Sequence, residues 1–156
     1  MIRKLLFAAV LLATTQTANA ASTDVVFRGG LNVTSTTTCP DWNPNKEFFL
    51  ATYWVPVAGS TNGPDSVLTF HSGNGSAEGF ELSSGTFTST YQSVDTMHVY
   101  TRIGSYPAFV KVTSQNPATI LTTTQKVTVT GAVKGFGFQS TCIVNFTMSL
   151  VRNLDP

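Results

Sequence analysis

Charge is scarce in this chain, and what there is does not cluster. Lys, Arg, Asp and Glu make up 11% of 156 residues, nine basic against eight acidic. Arg28, Lys46, Arg102, Lys111, Lys126, Lys134 and Arg152 each stand alone. A nucleic-acid surface displaces counterions with grouped Lys and Arg, so this scatter excludes it. Only two histidines and two cysteines occur, and two cysteines alone make an incomplete metal site. Also missing are a Gly-x-Ser-x-Gly elbow, a His-Glu-x-x-His helix and a glycine loop with a basic residue placed to hold phosphate, which removes the hydrolases and nucleotide binders that carry those motifs. Glu78 and Glu81 are the closest carboxylate pair. Three residues apart on a strand, they project to opposite faces and cannot act as a facing acid and base.

Long apolar runs are missing too, except at the start. Arg3 and Lys4 precede an apolar stretch from Leu5 to Ala13, and Ala18-Asn19-Ala20 places small residues where a signal peptidase reads. The stretch is about half the roughly 20 residues that span a bilayer, so residues 1–20 read as a cleaved secretory signal of bacterial type and residues 21–156 as the mature domain. Cleavage removes two basic residues and leaves seven against eight acidic ones, a formal charge of −1. The expected location is the periplasm or the extracellular space. Three Asn-x-Ser/Thr triplets, at Asn32, Asn74 and Asn145, read as chance matches in a Ser/Thr-rich chain.

Export carries Cys39 and Cys142 to a compartment where thiols oxidise, and a disulfide between them is the natural reading. The 136 residues left after cleavage suit one domain. No helical period is sustained. Instead β-branched and aromatic runs recur about every ten residues between Gly, Pro, Asn and Ser, the pattern of a sandwich or barrel. The clearest strand is the last, where Cys142, Val144, Phe146, Met148 and Leu150 alternate with polar residues. Val127, Val129 and Val133 mark the strand before it. Further candidates are 25–36, 48–57, 66–72, 79–83, 86–91, 96–103, 108–113 and 119–124, with a bulge or bend expected at Gly29-Gly30. The fold class is therefore all-β, an antiparallel β-sandwich of about eight to ten short strands, with a small β-barrel as the alternative. An outer-membrane barrel fits less well, because several strands are short and no pair of aromatic girdles is evident.

Two groups of residues carry candidate binding chemistry. His98, Tyr100 and Arg102 share one parity of a strand, with Asp95 in the turn before it, and in a row they would grip an anionic or sugar ligand. The bland alternative is a plain solvent-facing strand. Phe48, Phe49, Tyr53 and Trp54 put rings on both faces of another strand, with Trp42 just before it. An exposed Trp or Tyr stacks on sugar rings, whereas a central strand buries both faces.

The sequence thus reads as an exported, non-enzymatic surface, adhesion or ligand-binding module. Trp42, Trp54, Tyr53, His98, Tyr100 and Arg102 are its ligand candidates. A glycan or a protein is the expected partner, with no cofactor, no metal site and no transmembrane segment in the mature chain. The alternative is a small secreted hydrolase or metal-binding protein using His71 and His98, with Asp95 as a third ligand.

Overall fold

Strict alternation of buried and exposed residues runs through nearly every segment of the chain, and it builds one antiparallel sheet. The computed structural model describes residues 25–39, 49–57, 65–73, 75–83, 85–99 and 106–153; residues 1–24, which include the expected signal, and 154–156 lie outside them. Eight strands follow in chain order: β1 (Val25–Thr37), β2 (Phe49–Val55), β3 (Ser66–Ser72), β4 (Ala77–Leu82), β5 (Gln92–Val99), β6 (Ala108–Asn116), β7 (Lys126–Lys134) and β8 (Ile143–Arg152). A single 3-10 turn at Phe136–Phe138 is the helical content of the described residues. Each strand pairs with the next, and β8 returns to pair with β1 over the register Phe27↔Arg152 to Thr37↔Ile143, so the hydrogen-bonded order closes on itself. The shortest seam is β5–β6, with three residue pairs.

The inward parity is apolar. On β8 Val144, Phe146, Met148 and Leu150 are buried, and Cys142 just before it is buried with them. Val127, Val129 and Val133 do the same on β7. Phe70 lies among other rings, with centroids 5.3 Å from Phe80, 5.2 Å from Phe146 and 6.1 Å from Phe136. Burying each such side chain stabilises the fold by about 1.5–3 kcal/mol. The outward parity is mostly polar: Arg28, Asn32 and Thr34 on β1, Lys126 and Thr128 on β7, Ser149 on β8. A lipid-facing barrel reverses that arrangement, with its apolar residues outside. Among the described residues no helix is long and apolar enough to cross a membrane.

Three expectations change. Residues 86–91 and 119–124 are not strands. Their Thr-rich composition suits a sheet, but local side-chain bonds win: Thr88 N–H donates to Gln92 Oε1 (2.6 Å) and Leu121 N–H to Thr124 Oγ1 (2.9 Å), which closes turns. Nor does Gly29-Gly30 carry the bulge of β1. Both glycines pair regularly with β2 and β8, and the register shift falls between Val33 and Ser35. Gly29 is needed for another reason, since a Cβ there would stand 2.3 Å from the Ser149 carbonyl oxygen. Asp95 lies within β5 rather than in a preceding turn.

Cys39, just past β1, and Cys142, just before β8, lie at disulfide distance, Sγ to Sγ 2.01 Å. The bond continues the β1–β8 seam beyond its last rung, Thr37↔Ile143. It marks one end of the ring, where β3 ends and β4 begins. At the opposite end the chain passes from β4 to β5 and from β6 to β7.

Candidate functional site

The residues nominated from sequence fall only partly among the described ones. Trp42, Tyr100 and Arg102 lie outside the described residues. Tyr53 and Trp54 take opposite faces of β2, as neighbours on a strand must. Tyr53 is in the core, its ring 6.4 Å from that of Phe87. Trp54 is 41% exposed on the outer wall, in register with Val26 on β1 and Val67 on β3. His71 is exposed on the same wall, its Nε2 3.2 Å from Thr69 Oγ1. In register His71 stands opposite Ala77, whereas His98 stands opposite Glu78, one position out of phase. Asp95 is exposed four rungs along, accepting from Ser83 Oγ at 3.3 Å. Among the described residues no group of three or more His, Cys, Asp and Glu gathers to hold a metal ion.

On β5 the buried residues are Val94 and Thr96, while Asp95 and Met97 are exposed. Even-numbered positions therefore point inward up to Thr96, the reverse of a strand whose polar parity faces solvent. Polar groups are buried at the disulfide end of the ring. The Tyr106 hydroxyl donates to Glu78 Oε2, and both residues are buried. The Tyr106 N–H donates to Thr96 Oγ1 (2.7 Å), and that hydroxyl donates to the Tyr106 carbonyl (2.5 Å). This pair of bonds extends the short β5–β6 seam by one side-chain rung. Burial first, then the negative charge of Glu78, holds the Tyr106 phenol far above its ordinary range. Glu81 is exposed, so the two glutamates are separated by the sheet as their spacing requires.

At the opposite end lies a cleft of about 430 Å³. Its floor is β6 from Val112 to Gln115, its far wall Val55 and Pro56, and its rims the stretches Thr86–Ser89 and Ala118–Ile120. A β-bulge shapes that floor. The β6–β7 register shifts between Val112 and Ser114, and such an extra residue re-aims the side chains that follow it. The rim before β5 is pinned at Val112, whose N–H donates to the Thr88 carbonyl (2.8 Å). The other rim is pinned by Gln115, whose Nε2 donates to the Pro117 (3.3 Å) and Ala118 (3.0 Å) carbonyls. Gln115 Oε1 in turn accepts from the buried Tyr53 hydroxyl (3.2 Å). Burial pushes that phenol up to about 12. It stays protonated and remains a donor at any physiological pH.

Sequence reasoning missed this cleft because its lining comes from four separated segments. Two signals were present, the hydroxyl runs Thr86-Phe87-Thr88-Ser89 and Thr113-Ser114-Gln115; the first was taken for strand, and the strand expected over 108–113 stopped short of Ser114 and Gln115, which β6 includes. Comparison of the chain with family models, curated proteins and solved structures finds no match.

Proposed function

We propose that the protein is an exported, non-enzymatic binding module that takes a small ligand in the cleft between β6 and the two rims. The cleft itself carries this reading. Its volume of about 430 Å³ falls in the range of small-molecule sites, roughly 300–1,000 Å³, and its lining mixes apolar with hydroxyl-bearing residues. Export is supported by the charged start, short apolar run and small-residue cleavage site of residues 1–20, and by the disulfide. The consecutive pairing of eight strands supports the barrel alternative over two facing sheets, with the interior filled by side chains and the ligand held at one end.

The hydrolase or metal-binding alternative rests on His71 and His98, which the register sets out of phase on neighbouring rungs. Soaking crystals of the mature protein with a library of small fragments separates the readings. Fragment density concentrated between Val55, Phe87 and Ile120 is the expected result. Density confined to the outer wall beside Trp54, or a bound Zn²⁺ at His71, would overturn it.

A further inference from the structure

We propose that the ligand of this cleft is neutral and rich in hydroxyl groups, with the chemistry of a short saccharide; this rests on the reading of the cleft as a binding site. Among the described residues no Lys, Arg, His, Asp or Glu lines it. A charged ligand would therefore lose its hydration without meeting a counter-charge, which is costly. Apart from Gln115, the polar residues that line it all carry hydroxyls, Thr86, Thr88, Ser89, Thr113, Ser114 and Thr119, of which Thr88 and Thr113 donate theirs to the Thr90 and Thr130 carbonyls. Each hydroxyl both donates and accepts. They therefore match a ligand whose own groups do both, and match a carboxylate, which only accepts, or an ammonium, which only donates, less well.

The apolar component fits the same chemistry. Val55, Phe87, Val112 and Ile120 come one from each of the four segments that line the cleft, and sugar rings present C–H faces to such surface while their hydroxyls reach a polar rim. Phe87 and Val112 are buried in the core, so their exposed edges are held in place. Gln115 has both amide hydrogens committed to the rim and accepts from Tyr53. It acts as a positioning residue that fixes where the rim hydroxyls stand. The hydroxyls supply the contacts.

Amide chemical shifts of isotope-labelled mature protein test this with three separate probes: cellobiose, glucuronate and 1-hexanol. Cellobiose should move the amides of Thr88, Ser114 and Ile120, and Ile120→Trp, which fills the cleft, should weaken that response at least tenfold. Ser114→Asp, on the exposed bulge, should weaken it without affecting the fold, and His71→Ala should leave it unchanged. If glucuronate or hexanol moves the cleft amides while cellobiose and a panel of other neutral disaccharides do not, the ligand class is wrong and the cleft remains a site. If none of the probes moves them, or if the sugars act only at the Trp54 indole, both readings fall.

Discussion

Replacing Cys39 and Cys142 together by Ala removes the one covalent link across the seam that closes the ring. The cysteines are 103 residues apart. For a loop of that size the chain-entropy relation gives a loss of about 16 cal/mol/K from the denatured ensemble, or about 4.7 kcal/mol at 25 °C. Because Cys142 is itself buried, truncating its side chain adds a smaller packing loss of about 1 kcal/mol. Against a total stability of roughly 5–15 kcal/mol the double variant should be folded but weak, its melting temperature lower by about 20 °C at roughly 3–4 °C per kcal/mol. Urea unfolding followed by far-UV circular dichroism and by Trp fluorescence measures the difference, with reduced wild type as a second route to the open chain. A constraint on the denatured state slows folding when it is removed and leaves unfolding nearly unchanged where β1–β8 pairing is formed in the transition state. A loss below about 1 kcal/mol would refute the entropic account, because the β1–β8 pairing would then already hold the ends together in the denatured ensemble.

Other outcomes follow from the interior. Tyr53 prefers its protonated form when folded, so its contribution is intact below pH 10, the ordinary value of a phenol, and is lost as pH rises toward about 12. Between those pH values the wild type should lose about 2–3 kcal/mol more than Tyr53→Phe in paired urea melts; equal losses would show that the phenol is not desolvated. Gly131→Ala should destabilise the β6–β7 seam, since a Cβ there would stand 2.3 Å from the Lys111 carbonyl oxygen and 2.8 Å from Phe146 Cζ. Hydrogen exchange of β6 and β7 amides reads the effect, and unchanged protection would sink the argument. Phe70→Ala, which empties the centre of the ring cluster, should cost about 3–5 kcal/mol by denaturant melts.

Much of the fold was legible because burial imposes a period of two. β7 and β8 announce themselves by valines and large apolar residues on alternate positions, and β2 by splitting Tyr53 and Trp54 between faces. The misread segments share the composition of strands and differ only in what their hydroxyls and amides bond to, as Thr88 and Leu121 show. β5 was placed late by four residues, and the inward turn of Thr96 was missed, since its partner Tyr106 lies beyond a loop. Ring closure was legible only as the barrel alternative, without the strands that make it. The pairing of β1 with β8 joins segments more than a hundred residues apart, and nothing in either segment names the other.

A strand sheet that closes on itself offers little edge. Among the described residues each strand pairs with a neighbour on both sides, so outside the β5–β6 seam, where only three residue pairs form, another molecule finds no open row of main-chain donors and acceptors on which to lay its own backbone. Growth into fibres by strand addition is confined to that seam, and elsewhere a partner must recognise side chains, on the wall or at an end. The disulfide extends that protection to exchange between copies. With Cys39 bound to Cys142, the end of β1 stays tethered to the start of β8, so that the redox state of the surroundings decides whether this ring is permanent or can be reopened and shared.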